Sequence, residues 1–276
     1  MGLGEVGSLQ DFILVASAHG FQAIDADGKE IVDMVQTMGI QGAQDFLTQH
    51  AMRIGSFGLP VEWRHTTQQF QQSLTDLAKS ADAATKIGCT ACCTYILPST
   101  DYASASFMAI ATSRMRTCAE ILDAYGISLG LEFVGPHHLR TTWKNPLIWT
   151  MDDTLAWIDA IDKKNVGLLL DAYHWYTTES TLEDLLALRA SQVVHVHVND
   201  APNIPIPNVL DNDRLYPLEG VIDLAGFLRA LDTIGYKGVV AQEVICLNKT
   251  GESSEELLTK SEKAFTAMFE KAGVAY

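Results

Sequence analysis

The runs SLGLE (128–132), VGLLLD (166–171), VVHVH (193–197) and GVVAQE (238–243) share one plan. Each is an apolar stretch of strand length closed by a polar residue, respectively Glu132, Asp171, His197 and Glu243. Apolar runs of this length, bounded by turn residues, read as buried strands. A carboxylate closing such a strand is costly to bury unless its charge is compensated. Three carboxylates and an imidazole delivered by four successive strands point to a divalent-metal site at one end of a parallel barrel.

Working outward, strand-like and helix-like segments alternate along the chain. The pattern predicts a helix in SLQDFILVASAHG, where Ser8 and Asp11 have capping-box spacing, then strand FQAID at 21–25. Helix GKEIVDMVQTMG ends at Gly39 and a further helix spans 42–51. Strand MRIGSFGLP, helix 67–86, strand CTACCTYIL and helix 103–125 follow. Strands at 128–134, 166–171, 193–198 and 238–245 then alternate with helices at 151–162, 181–189, 223–234 and 254–271. Thr150 with Asp153, and Thr181 with Asp184, repeat the capping signal. Regular alternation without a polar linker predicts one parallel sheet covered by helices. The expected architecture is a (β/α)8 TIM barrel formed as a single domain over residues 1–276. Seven strands are clear, so the first, drawn from MGLGEV at 1–6, is expected to be short or incomplete. The alternative is an open doubly wound sheet, but that fold normally shows a glycine-rich phosphate loop, and neither GxGxxG nor GxxxxGK[ST] occurs. Residues 201–220 carry Pro202, Pro205, Pro207 and Pro217 and read as a loop at the presumed active face.

Composition narrows the function. The 276 residues are 47% apolar, ample for a large core, and the net charge is -15. So acidic a chain repels phosphate backbones, so no nucleic-acid partner is expected. No apolar stretch reaches the roughly 20 residues that span a bilayer, so no membrane partner is expected either. The N-terminus lacks the basic-then-apolar pattern of a signal peptide. Five cysteines, Cys89, Cys92, Cys93, Cys118 and Cys246, give no disulfide framework and suit a reducing cytoplasm. The C-x-x-C spacing of Cys89 and Cys92 lies within a strand, where the cysteines read as small buried apolar residues. A homo-oligomer remains open.

Strand side chains alternate faces, so Gly130 shares a face with Glu132, Leu169 with Asp171, His195 and Asn199 with His197, and Ala241 with Glu243. In parallel barrels, functional groups gather from several strands at their carboxyl ends. Taken singly, each residue is more simply a polar strand end; taken together, the four read as ligands. His195, one pleat deeper, reads as a hydrogen-bonded core histidine. His174, three residues after Asp171, and His137 and His138, after Glu132, lie at the rim. His19, His50 and His65 are assigned no catalytic role.

Three carboxylates and one imidazole around one divalent ion leave a net charge of about -1, suiting Mn²⁺ above Mg²⁺, Co²⁺ or Zn²⁺. Four protein ligands leave open positions for two adjacent oxygens of a hydroxy-ketone. The ion would acidify the C–H beside the carbonyl and hold an enediolate, while carboxylates above and below the carbon move the proton.

The segments LGLEFVGPHHLR, VGLLLDAYHWY, VVHVHVNDAP, DNDRLYPLEGVIDL and AQEV, in this order over about 128–245, give the chain a resemblance to the xylose isomerase-like superfamily. The branch it resembles is that of sugar phosphate isomerases and epimerases. The N-terminal half is similar more loosely, through its βα rhythm and segments such as GFQAID. The resemblance implies Glu132, Asp171, His197 and Glu243 as ligands of one divalent ion, with Glu132 and Glu243 also acting as acid and base. It implies substrate contacts from His174 and Arg214, and His138 is added as a rim contact. The implied substrate is a small carbohydrate, a keto sugar with or without phosphate. Two departures stand out. PLEGVID carries Leu218 where the family pattern has glycine and is one residue shorter, and the first strand is nearly absent.

Three other functions compete. Endonuclease relatives need histidines where this chain has SFGLP, TYILP and Arg214, and the acidic charge also disfavours DNA. A sensor barrel needs no pair of opposed glutamates. A lyase of the inosose dehydratase kind, acting on a keto sugar, keto inositol or keto glycoside, uses the same ligands and expels a β-hydroxyl. It is the alternative to isomerisation.

Overall fold

The computed structural model describes Leu3, residues 6–245 and residues 251–275. Among these residues nine strands follow in chain order: β1 (Ala23–Ala26), β2 (Arg53–Gly58), β3 (Ala91–Ile96), β4 (Ser99–Thr100), β5 (Ser128–Phe133), β6 (Asn145–Pro146), β7 (Val166–Asp171), β8 (Val193–Val198) and β9 (Val240–Gln242). Seven of them form one parallel sheet in the order β1-β2-β3-β5-β7-β8-β9, curled into a nearly closed barrel with helices outside. This is the TIM-barrel architecture expected from the alternation. Each of the seven anticipated strands is present. β1 and β9 lie side by side, but no ladder joins them among the described residues. The reading of residues 1–6 as a weak first strand falls largely outside the described residues, as does Cys246.

Local signals account for the helices. Ser8 and Asp11 form a reciprocal capping box on the helix Leu9–Ala18, and Thr181 and Asp184 do so on Leu182–Leu186. At Thr150 the hydroxyl accepts the Asp153 N–H at 3.1 Å. Gly39, at φ 71°, kinks Gly28–Gln49 into two helical segments, because left-handed backbone is open to a residue without Cβ. The helix anticipated at 181–189 is shorter and hands over to a 3₁₀ turn at Ala190–Gln192. One element had no forewarning. β4 and β6 pair antiparallel, Ser99 with Pro146 and Thr100 with Asn145, and tie together the loops that follow β3 and β5.

The outward strand faces pack on the helices in two clusters. Phe57, Leu77, Met115 and Leu122 belong to one, and Phe133, Tyr173 and Phe227 to the other, all fully buried. Each such side chain contributes about 1.5–3 kcal/mol from burial. Cys89, Cys92 and Cys118 are free and buried in this packing, and Cys93 is free and buried on the opposite face of β3, beside Gly130. Burial pushes their thiols up, Cys89 to about 11 and Cys118 to about 12, in keeping with small apolar residues and not with redox centres. No described helix is long and apolar enough to cross a membrane.

The two ends of the chain meet at His19. It caps the helix Leu9–Ala18, its Nδ1 lies 2.9 Å from Glu262 Oε2 and its Nε2 3.2 Å from Glu255 Oε1. The Glu262 hydrogen bond, and then the Glu255 hydrogen bond and charge, raise the His19 pKa against the opposing effect of burial. A raised folded pKa gives stability that is complete below the unfolded value, about 6.5, and disappears as pH rises through the folded value. His19→Gln is therefore expected to lower the melting temperature at pH 5.5, with the deficit shrinking by pH 9. A deficit independent of pH would show that the imidazolium does not pin the helix Ser254–Ala272.

Candidate metal centre

Sheet register assembles the centre. Asp171, the last residue of β7, pairs with His197 on β8, and His197 pairs with Ala241 on β9. Glu243 follows β9, and its N–H continues the ladder to the Val198 carbonyl at 3.1 Å. Glu132 projects from β5 into the same space, and Gly130 beneath it leaves room, since a Cβ there would lie 2.9 Å from Cys93 Sγ. His197 Nδ1 is 3.8 Å from Glu132 Oε1, 3.9 Å from Asp171 Oδ2 and 3.6 Å from Glu243 Oε2. One ligand atom from each of the four lies within 4.8 Å of all the others. That matches the span of atoms around an ion at roughly 2.0–2.6 Å from each.

Two atoms of this cluster lack a partner. Glu132 Oε1 and His197 Nδ1 are buried without a hydrogen-bond partner. Unpaired polar atoms in so enclosed a site are costly, and a shared divalent ion would satisfy both. Glu132 is 6% exposed, Asp171 0% and His197 9%, while the Glu243 side chain, at 29%, faces the opening. The donor set fits a hard-to-borderline ion.

The charges are already unequal. Burial, and then the Glu243 charge, push the Glu132 carboxyl up. Burial acts on Glu243 in the same direction, but His197 and Arg214 outweigh it and hold Glu243 well below the usual carboxylate range. His197 loses basicity to burial and regains more from Glu243 and Asp25, so its pKa ends well above the ordinary value.

Arg214 is more deeply engaged than a substrate contact alone would require. It is 3% exposed, and its Nη1 donates to Asp171 Oδ2 at 2.8 Å and Glu243 Oε2 at 2.6 Å, the oxygens that face His197. Nη2 donates to Asp211 Oδ1 at 2.9 Å. His174 Nδ1 lies 3.3 Å from the Gly135 backbone nitrogen and its Nε2 3.2 Å from Arg214 Nη2; both neighbours are donors, and the neutral ring has one lone pair to accept with. His174 and Arg214 are thus paired beside Glu132. His138 sits in the short helix His137–Arg140, and no described hydrogen bond or ion pair joins its side chain to the cluster.

Some supporting groups were not singled out from sequence. Asn199 Nδ2 donates to both Asp171 oxygens, at 3.1 and 3.2 Å, and to the Glu243 carbonyl at 3.1 Å. Its shared face with His197 was the available signal. Asp25 accepts from the far side of His197, and FQAID ends on this carboxylate just as three of the four runs end on Glu132, Asp171 and Glu243. His195 bonds the same Asp25 oxygen at 2.9 Å, as suits a core histidine. Asp200 holds the proline-rich loop by accepting backbone N–H groups of Ala201, Gly220 and Ile222 at 2.8–2.9 Å. Leu218, which replaces the family glycine, keeps left-handed backbone at φ 71° and packs on the core. Such a conformation costs a non-glycine residue about 1–3 kcal/mol.

Arg214→Met removes the cation from two buried carboxylates and is expected to destabilise metal-free protein by about 3–5 kcal/mol. Saturating Mn²⁺ should raise the melting temperature of this variant more than that of the wild type, because the ion replaces the missing charge. Equal increments would show that arginine and ion do not share these oxygens.

A profile of the family described as xylose isomerase-like TIM barrel matches residues 13–266. The inosose isomerase of Bacillus subtilis (strain 168) is 30% identical over 145 residues, which is 52% of this chain and 50% of that protein. The chain thus spans about half the length of this curated relative. A xylose isomerase domain protein from Alicyclobacillus acidocaldarius superposes with a TM-score of 0.90 at 28% identity, covering 98% of this chain and 96% of its own. The IolI protein, solved with a zinc atom bound, superposes with a TM-score of 0.80 at 19% identity and shares the fold over 98% of this chain and 96% of its own. With the profile covering most of its length, this chain belongs to the xylose isomerase-like TIM barrel family.

Proposed function

We propose that this chain is a divalent-metal-dependent isomerase or epimerase of a small keto sugar. One observation carries the reading: Glu132 and Glu243 face a common centre that also collects Asp171 and the unpartnered His197 Nδ1. The similarity to an inosose isomerase supports the substrate class, a polyhydroxylated ketone. The zinc-bound structural relative and the oxygen-rich donor set support a divalent ion, with Mn²⁺ our first choice.

When bound by Glu132, Asp171, His197 Nδ1 and Glu243, the ion supplies Lewis acidity to the substrate carbonyl and acidifies the adjacent C–H. The protein's own groups do the remainder. His174 and Arg214, joined through Nε2 and Nη2 at 3.2 Å, stand beside Glu132 and would orient the substrate oxygens. One glutamate removes the carbon-bound proton, leaving the electron pair delocalised over the enediolate. The other returns a proton to the opposite face, which inverts that carbon. Return to the neighbouring carbon isomerises the sugar instead. The burial of Glu132 and Asp171 excludes water, which strengthens each of these interactions. Asn199 keeps Asp171 in place through both of its oxygens.

The test is a screen of keto sugars and inososes in D₂O with the purified, metal-analysed protein. Solvent deuterium is expected at the carbon beside the carbonyl. Glu132→Gln and Glu243→Gln should each lose about 10²–10⁴-fold in turnover, with metal content measured alongside. Full activity in metal-replete Glu243→Gln would refute the acid–base role. Intramolecular hydrogen transfer without exchange would favour a hydride shift, and a product lacking one hydroxyl would assign the chain to the lyases.

A further inference from the structure

Asp25 is the penultimate residue of β1, yet its side chain serves β8. Its Oδ2 lies 2.9 Å from His195 Nε2 and 3.2 Å from His197 Nε2. The two rings meet edge to face, with centroids 5.2 Å apart and planes at 82°. A carboxylate only accepts, so each imidazole presents Nε2–H to it. Neutral His197 therefore carries its proton on Nε2 and its lone pair on Nδ1, the atom facing Glu132, Asp171 and Glu243. The neighbouring strand makes room for this arrangement. A Cβ on Gly55 would stand 2.7 Å from Asp25 Oδ1 and 3.3 Å from His195 Cε1.

Asp25, His195 and His197 are themselves close enough to hold an ion. That use would require His197 to give up both ring protons in order to serve two ions. Two hydrogen bonds to one carboxylate oxygen account for the same distances at no such cost.

We propose that Asp25 is a positioning residue for the metal centre. It fixes the tautomer and ring orientation of His197, and His195 is the second donor that holds the carboxylate in place. The role rests on reading Glu132, Asp171, His197 and Glu243 as ligands. Asp25 touches neither substrate nor ion. It acts through His197, whose Nδ1 it keeps available and more basic, and outer partners of this kind contribute 10–100-fold to metal affinity.

The experiment uses the full chain stripped of metal and titrated calorimetrically with Mn²⁺. Asp25→Asn, nearly isosteric but uncharged, is expected to bind 10–100-fold more weakly than wild type. Leu77→Ala, a core truncation in the helix Thr67–Lys86, should lower the melting temperature and leave affinity within about twofold, which separates positioning from general destabilisation. Long-range ¹H–¹⁵N spectra of histidine-labelled, Zn²⁺-loaded wild type should show His197 protonated on Nε2, a readout that needs no variant to fold. Ligation through Nε2, or Asp25→Asn binding as tightly as wild type, overturns the role and leaves the metal reading intact. A wild-type chain that binds no divalent ion overturns both.

Discussion

Three carboxylates converge on one enclosed space, and their mutual repulsion is the constraint around which the barrel mouth is built. In a medium of low effective dielectric, like charges this close disfavour one another strongly. Each neighbour answers that problem. Arg214 places a buried guanidinium on Asp171 and Glu243, Asn199 donates to both Asp171 oxygens, and Asp171 also accepts the Tyr173 N–H at 2.6 Å. Glu132 receives the least help and is pushed toward its neutral form. The two glutamates thus differ in protonation preference through their surroundings, not through residue type.

The compensation reaches outward through the fold. The short helix Ala172–Thr177 begins on the Asp171 carboxylate and positions His174 within reach of Arg214. Arg214 comes from the proline-rich segment, which Asp200 fastens to the end of β8. The Asp200–Leu215 bridge sets the segment beside the strand that carries His197. Strain at Leu218 is tolerated because this anchoring and the packing of its side chain determine the loop conformation.

Much of this was readable before folding. Strand periodicity and polar strand ends placed Glu132, Asp171, His197 and Glu243 on adjacent strands, because a parallel barrel turns chain order into spatial order. Gly39 and the capping pairs were equally legible, being local. What escaped depended on tertiary distance. Arg214 lies 43 residues beyond Asp171, and nothing local to it announces that it will lie on two ligand oxygens. Asp25 stands near the end of its strand in the same manner as the four candidate ligands, but its partners stand on β8, across the interior. The β4–β6 ribbon has two residues on each side, too few for any periodic signal. His138 follows Glu132 through the turn at 134–136 into the helix His137–Arg140, too short an element to leave a periodic signal.

The six ladders between the seven strands set what can vary at the mouth. Laddered strands are held about 4.8 Å apart by backbone geometry, whatever side chains they carry. The chemistry lining these sectors can therefore be exchanged residue by residue while the spacing of the positions that present it stays the same.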